Sequence, residues 1–205
     1  PYTTLFRSPL SNEWWLLLHG YAQRADELLN ACEDLVSENR FLIAPEGLSR
    51  FYREGFSGEI GASWMTKHER ESEIKDYVAY LNKLVTGLQN INRPKKVNLM
   101  GFSQGTATAT RWLAQTDIKI ENAVIYAGSP ALEIPPKDLA NKARHFWFLW
   151  GDQDKFIKAE QAEKLLDFWK GSGIELGEIK FKGRHRVTSE ALQMLQKEIL
   201  TKTQP

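Results

Sequence analysis

A serine between two glycines offers the clearest chemistry in the sequence. Ser103 is the centre of Gly101-Phe102-Ser103-Gln104-Gly105, which follows an apolar run at 97–100 and precedes a helix-like stretch at 106–115. A sharp strand-to-helix turn strains the central serine, and flanking glycines avoid Cβ collisions with either element. The hydroxyl would then project as a nucleophile, with the Gln104 amide facing a developing oxyanion. The alternative is a turn of small residues without chemistry.

A serine nucleophile needs a base and an acid. His185 follows the last predicted strand, and Asp152 and Asp154 follow the strand before it, so the candidates occur in the order Ser, Asp, His. Each of the other three histidines has a different interpretation. His145 opens an apolar run ahead of the Asp loop, His68 begins a charged helix, and His19 is better explained as a structural residue. Spacing favours His185 as the base but leaves both aspartates open, because aspartate is also a common turn residue.

Alternating strands and helices must position these groups. Apolar runs predict strands at 13–19, 40–44, 97–100, 123–127, 145–150 and 175–181, and helical periodicity covers 24–38, 68–88, 106–115, 159–170 and 187–202. The alternation implies a parallel sheet with helices on both faces, whose working groups gather at the carboxyl ends of the strands. Residues 46–62 are predicted to be a loop. The 128–142 loop, with three prolines, is too short for a cap domain, which predicts an open site.

Composition limits the classes of function. With 205 residues and 42% hydrophobic content, the chain fits one domain with a sizeable core. Lys plus Arg number 27 and Asp plus Glu 26, so net charge does not indicate a nucleic-acid partner. No apolar run suits a membrane span and no secretory leader opens the chain, which predicts a cytoplasmic protein without stable membrane insertion. Cys32 is the only cysteine and the histidines are scattered, so we expect neither a metal site nor another cofactor.

The first eight residues are interpreted separately from the domain. Residues 1–8 resemble the translation of a DNA-sequencing adapter, as in a truncated or metagenomic gene, which leaves 9–205 as a single domain. On this interpretation the natural N-terminus is missing, together with any strands that normally precede Glu13. The strand at Phe41 to Ala44 would then have an unpaired edge, through which we expect pairing with a second copy of the chain.

Five motifs carry a family resemblance. They are Leu18-His19-Gly20, Ala62-Ser63-Trp64, Gly101-Phe102-Ser103-Gln104-Gly105, Gly151-Asp152-Gln153-Asp154 and Gly183-Arg184-His185. From about Trp14 to Leu200 the chain resembles α/β-hydrolases of the carboxylesterase/phospholipase group, which includes acyl-protein thioesterases and small bacterial carboxylesterases. The resemblance implies an α/β-hydrolase fold: a mostly parallel sheet of about six strands, helices on both faces and no cap domain.

The resemblance also implies roles for residues. Ser103 matches the nucleophile, His185 the base and Asp154 the acid, while the backbone amides of Tyr21 and Gln104 match the oxyanion hole. Two positions depart from the family pattern. Met65-Thr66 replaces an aromatic residue and an aspartate. Thr106 replaces a small residue after Gly105, the last glycine of the strand-to-helix turn at 101–105, which we call the elbow. Apolar residues beside the catalytic loops are candidates for the acyl pocket, although core packing competes for them: Tyr21, Trp64, Met65, Phe156 and Ile157.

These features predict a cofactor-free serine carboxylesterase for short to medium-chain esters. Its partner would be a small-molecule ester. Thioesters and lysophospholipids are close alternatives because they require the same groups, and a non-catalytic binding module of the same fold is the alternative from another class. Four cations surround His185: Lys180, Lys182, Arg184 and Arg186. They indicate either a charged edge strand protected against aggregation or attraction of anionic substrates.

Overall fold

A seven-stranded sheet forms the centre of the molecule. The computed structural model describes residues 3–6 and 11–203. In chain order the strands are β1 (Thr3–Phe6), β2 (Glu13–Leu18), β3 (Arg40–Pro45), β4 (Ser49–Glu54), β5 (Ser57–Ser63), β6 (Lys96–Phe102), β7 (Ile120–Tyr126), β8 (Ala143–Gly151) and β9 (Leu176–Phe181). The sheet order is β1-β3-β2-β6-β7-β8-β9, and β4 and β5 form a separate antiparallel hairpin. Six strands of the sheet are parallel and β1 is antiparallel to β3.

Helices cover both faces of this sheet. They are α1 (Ala25–Ala31), α2 (Arg70–Gln89), α3 (Gln104–Gln115), α4 (Ala159–Trp169) and α5 (Ser189–Thr203), with short 3-10 helices at Glu33–Leu35 and Pro136–Asp138. Helices α2, α3 and α4 share one apolar core with the sheet, and α1 and α5 share the other. Strand residues alternate between the two cores, as the pleat requires: Trp14 and Leu16 of β2 join the first core, and Trp15 and Leu17 the second.

This architecture confirms the predicted mostly parallel sheet of about six strands with helices on both faces. The connection from β7 to β8 contains only the 3-10 helix at Pro136–Asp138, in agreement with the absence of a cap domain. β9 ends the sheet, and the Lys180 ammonium group lies 4.7 Å from the centre of the Trp150 ring. A charged edge strand therefore accounts for at least this lysine. Among the described helices, none combines the length and apolarity needed to cross a membrane.

Two segments differ from the expected elements. The predicted 46–62 loop contains the β4–β5 hairpin, which was missed because most of its residues are exposed and show no apolar alternation. The predicted helix at 24–38 ends at Ala31 and is followed by the 3-10 turn. That turn begins after Cys32, whose amide donates to both Leu28 and Leu29 carbonyls.

The N-terminal strand affects the expected assembly. Of the proposed adapter segment, residues 1, 2, 7 and 8 lie outside the described residues, while residues 3–6 form β1. β1 pairs with β3 from Thr3–Pro45 to Phe6–Leu42, so the edge of β3 is occupied within the chain. Pairing of that edge with a second copy would require displacement of β1. The origin of residues 1–8 stays a prediction.

Candidate active site

Ser103 occupies the sharp turn between β6 and α3. Its backbone has φ 53° and ψ −117°, a conformation that a residue with a side chain adopts only under strain. Its amide donates to the Tyr126 carbonyl oxygen at 2.9 Å, which fixes the turn against β7. A Cβ atom added at Gly101 would lie 2.3 Å from the Gly105 carbonyl oxygen, and one at Gly105 would lie 2.0 Å from the Leu18 carbonyl oxygen. Both glycines are therefore required by close backbone approach.

Hydrogen bonds connect the three catalytic candidates. Ser103 Oγ lies 2.9 Å from His185 Nε2, and His185 Nδ1 lies 2.7 Å from Asp154 Oδ2. The Asp154 side chain has no exposed surface. Its other oxygen, Oδ1, accepts hydrogen bonds from the amides of Phe156 at 2.7 Å and Ile157 at 3.1 Å. A carboxylate held in this way keeps the Nδ1 proton of His185 in place and leaves Nε2 free to accept the serine proton.

The neighbouring Asp152 has a different environment. It is exposed, and its Oδ1 accepts a hydrogen bond from the Gly183 amide at 3.0 Å. Its own amide donates to the Phe181 carbonyl oxygen at 3.0 Å. Asp152 thus connects the loop after β8 to the loop after β9, whereas Asp154 contacts the imidazole.

Three aromatic side chains fix the position of His185. The rings of Phe102 and Phe156 lie on it with centroid distances of 5.1 Å and 4.7 Å. Tyr126, fully buried at the end of β7, donates to the Arg186 carbonyl oxygen at 3.2 Å and accepts from the Thr188 amide at 3.1 Å. Burial raises the pKa of Tyr126 to about 12, so the hydroxyl remains a donor. Sequence reasoning missed Tyr126. The available signal was a tyrosine in an apolar strand, whose hydroxyl needs a partner.

Two loops meet around the serine where the oxyanion amides were predicted. Gln104 is the first residue of α3. Gly20 packs against the serine: a Cβ atom there would lie 3.1 Å from Ser103 Cβ, and Tyr21 is the next residue. The loop is anchored behind Tyr21, where the Ala22 amide donates to the Ala62 carbonyl oxygen at 2.9 Å. The segments carrying the Tyr21 and Gln104 amides thus converge beside Ser103.

The Gln104 side chain organises the adjacent loop, a role that sequence reasoning did not find. Its Nε2 donates to the Met65 carbonyl oxygen at 2.9 Å, and its Oε1 accepts from the Trp64 amide at 3.1 Å. The same side chain lies within hydrogen-bond distance of Ser63 Oγ. The glutamine of the elbow therefore ties the loop after β5 to the start of α3.

His19 connects three loops from inside the molecule. It is fully buried, and burial lowers its pKa, so it is neutral at ordinary pH. Nε2 accepts from the Gly47 amide at 2.8 Å, Nδ1 donates to the Gly20 carbonyl oxygen at 2.7 Å, and the His19 carbonyl accepts from Trp64 Nε1 at 2.9 Å. These bonds occupy both ring nitrogens.

Comparison with known proteins identifies the family. A family model described as phospholipase/carboxylesterase matches residues 12–203. The chain belongs to this family. No curated protein sequence matches it significantly.

Solved structures support the same fold for this phospholipase/carboxylesterase family member. Zea mays acyl-protein thioesterase 2 has a TM-score of 0.75 at 17% identity, with 97% of each chain covered. Arabidopsis thaliana SOBER1 has a TM-score of 0.68 at 14% identity, covering 93% of this chain and 99% of that chain. A phospholipase/carboxylesterase from Dyadobacter fermentans has a TM-score of 0.67 at 14% identity, covering 97% and 95%. Identities this low establish the fold alone, and they confirm the α/β-hydrolase prediction.

An apolar groove of about 330 Å³ lies between α4 and the loop after β7 in this family member. Its walls are formed by Ser129, Leu132, Ile157, Gln161, Lys164, Leu165 and Phe168. One residue of the groove contacts a catalytic candidate, because the Ile157 amide donates a hydrogen bond to Asp154. Ser129 lies against the elbow, because its carbonyl oxygen is 2.6 Å from Thr106 Oγ1. The groove therefore lies beside the loops that carry the catalytic candidates.

Of the five predicted pocket residues, Ile157 alone lines this groove. Trp64 is 1% exposed and packs in the core, which was the competing interpretation for it. Met65 is partly buried against the same core. Tyr21 is exposed and stacks on Phe51 at 5.2 Å, and Phe156 is 66% exposed and covers His185. The groove depends on a contact between distant segments, which the sequence pattern does not reveal.

A larger groove of about 540 Å³ lies away from these residues. It is lined by Lys95, which precedes β6, by Val97 of β6 and by Gln115 at the end of α3. Ser103 lies at the opposite ends of both elements. The larger volume is consequently not part of the candidate active site.

Proposed function

We propose that this chain is a serine carboxylesterase that hydrolyses short to medium-chain carboxylic esters. The observation that carries the proposal is the continuous hydrogen bonding from Ser103 Oγ through His185 to the buried Asp154. Family membership supports an esterase-type hydrolase. The strained backbone of Ser103, at the start of a helix, is a further feature of an activated serine.

The reaction would pass through an acyl-enzyme. Ser103 Oγ attacks the ester carbonyl carbon while its proton passes to His185 Nε2, and Asp154 stabilises the resulting imidazolium. The negative oxygen of the tetrahedral intermediate faces the amides of Tyr21 and Gln104. Collapse breaks the ester C–O bond, and the alcohol leaves with the proton from Nε2. A water molecule then repeats the two steps on the acyl-enzyme and releases the carboxylic acid.

The groove favours an acyl chain of limited length. Its volume of about 330 Å³ and the apolar Leu132, Ile157 and Phe168 suit an aliphatic chain better than a polar one. Ile157, which lines the groove, donates its amide to Asp154, so the groove begins beside the loop that carries the acid. We place the acyl chain there and the leaving group on the open side of the site.

A thioester substrate is the second candidate. The same serine, histidine and aspartate would hydrolyse it, and the Zea mays protein of similar fold is named an acyl-protein thioesterase. A non-catalytic binding module is the alternative from a different class. The intact hydrogen bonding of Ser103 argues against it, because a binding module has no need of an activated serine.

Labelling with a fluorophosphonate probe tests the proposal directly. The wild-type chain should form a stable adduct, because the probe reacts with serines whose hydroxyl is activated by a base. Ser103→Ala should not be labelled, and Ser57→Ala, which changes an exposed serine of β5 away from the site, is a matched control that should be labelled like wild type. Absence of labelling in a folded wild-type chain would contradict the enzyme and favour the binding module.

A further inference from the structure

The outer wall of the apolar groove is held by the nucleophile helix. We call residues 129–133 the wall segment. Thr106 Oγ1 of α3 lies 2.6 Å from the Ser129 carbonyl oxygen, and Thr110 Oγ1 accepts from the Ala131 amide at 2.9 Å. Alternate residues of the wall segment are thus bonded to successive turns of α3. Leu132, which follows the second of these contacts, is 59% exposed and lines the groove.

An ion pair forms the last contact of this wall. Arg111 Nε, on the next position of α3, donates to Glu133 Oε1 at 2.6 Å, and Arg70 of α2 donates to the same oxygen at 2.5 Å. The Arg111 side chain is only 9% exposed, and its Nη1 lies 3.4 Å from the Tyr77 hydroxyl and 3.6 Å from Met65 Sδ. Arg111 is therefore fixed by packing, and Glu133 is its carboxylate partner.

The Glu133 carboxyl group carries a negative charge in the folded protein. Burial acts to raise the pKa of Glu133, but the hydrogen bond from Arg111, together with the other contacts and charges, lowers it to about 2. The carboxyl group is consequently ionised at every pH at which an esterase assay is practical. The pKa of Glu133 in the folded state lies below its ordinary value, so the stability gained from the ionised carboxyl group is complete above about pH 4.5. It is lost only as the pH falls toward about 2.

Leu132 stands between the Ala131 and Glu133 anchors and has no comparable polar anchor of its own. An exposed leucine is held in an apolar wall only if its backbone is fixed, because its side chain alone gains little from partial burial. The anchor at Glu133 fixes the backbone on the carboxyl-terminal side of Leu132, which lines the groove together with Leu165 and Phe168.

We propose that Glu133, held by Arg111 and Arg70, is a positioning residue for acyl-chain selectivity. By fixing the wall segment it keeps Leu132 in place as the outer wall of the groove, and so sets how strongly medium-length acyl chains are preferred over acetyl. The effect on selectivity rests on the proposed esterase function. The effect on the wall segment does not.

The kinetic test compares p-nitrophenyl octanoate with p-nitrophenyl acetate. In Glu133→Gln the octanoate-to-acetate ratio of kcat/KM should fall by about fivefold or more, mainly through the KM for octanoate. Leu132→Ala should lower the ratio similarly. The double variant should lower it no further than Leu132→Ala alone, because the glutamate acts through the leucine. Glu175→Gln, which removes the distant exposed pair with Lys202, should keep the wild-type ratio. An unchanged ratio in folded Glu133→Gln would overturn the proposal.

Amide hydrogen exchange tests the wall separately from the chemistry. Peptides containing residues 129–133 should exchange faster in Glu133→Gln than in wild type, and should be unaffected in Glu175→Gln. If wild type lacks serine-dependent turnover, the esterase function fails, and this measurement still decides the structural part. Equal exchange in wild type and Glu133→Gln would show that the ion pair does not hold the wall.

Discussion

At the scale of residues, two aspartates only two positions apart have different environments. Asp154 is buried and contacts His185, whereas Asp152 is exposed and accepts a hydrogen bond from the Gly183 amide. Sequence spacing could not separate them, because either aspartate suits a turn. The family resemblance favoured Asp154, and the geometry supplies the physical reason.

Alanine substitutions of the two aspartates should therefore differ greatly. Asp154→Ala should lower kcat by about 10³- to 10⁴-fold, since the imidazole loses the group that fixes its tautomer. Asp152→Ala should stay within about threefold of wild type, because it removes one hydrogen bond at an exposed site. Steady-state kinetics on p-nitrophenyl acetate measure both. A kcat loss in Asp152→Ala as large as in Ser103→Ala, with Asp154→Ala active, would reverse the assignment.

Tyr126 holds the backbone that follows His185. Tyr126→Phe removes the hydroxyl that bonds the Arg186 carbonyl and the Thr188 amide. Leaving these backbone groups unpaired should lower the free energy of unfolding by about 1–3 kcal/mol. The less constrained His185 loop should lower kcat by about tenfold with little change in KM. Urea unfolding and kinetics test this; equal kcat in Tyr126→Phe and wild type would remove the tyrosine from the account.

At the scale of elements, the elbow depends on how closely β6, α3 and the end of β2 approach. The predicted strained turn is present, and its glycines are explained by contacts that the sequence motif only indicated. The parallel strands were predictable because strands buried on both faces form continuous apolar runs. The β4–β5 hairpin was not, because its mostly exposed residues lack that signal. The Tyr126 contacts and the groove join segments far apart in sequence, so no local pattern reports them.

Two glycine substitutions separate the elbow from an ordinary helix position. A Cβ atom at Gly105 would lie 2.0 Å from the Leu18 carbonyl oxygen, so Gly105→Ala should destabilise the fold by about 2 kcal/mol or more. Gly87, near the end of α2, has open space around the same position. Gly87→Ala should stabilise by up to about 1 kcal/mol, as alanine favours helix. Thermal unfolding compares them; a Gly105→Ala protein as stable as wild type would contradict the packing of the elbow.

At the scale of the whole molecule, the sheet gathers the loops after β6, β8 and β9 at one end. The β7–β8 connection builds a groove wall and does not form a cap over these loops. We therefore expect a substrate to reach Ser103 without displacing a domain. The groove of about 540 Å³ lies near the start of β6 and takes no part in this arrangement.

The open arrangement predicts ordinary saturation kinetics. With an ester that forms micelles, the rate should rise smoothly through the micellar threshold, because no cap needs an interface to move it. A pH-stat titration across that threshold measures the curve. A sharp increase in rate at the threshold would show that a mobile element covers the site.

Hydrolysis of p-nitrophenyl esters from acetate to palmitate, by the purified chain beside Ser103→Ala, is the most direct test of the proposed esterase. We expect turnover by wild type that is strongest for short to medium chains and is abolished in Ser103→Ala. Equal background rates in two folded proteins would contradict the serine carboxylesterase.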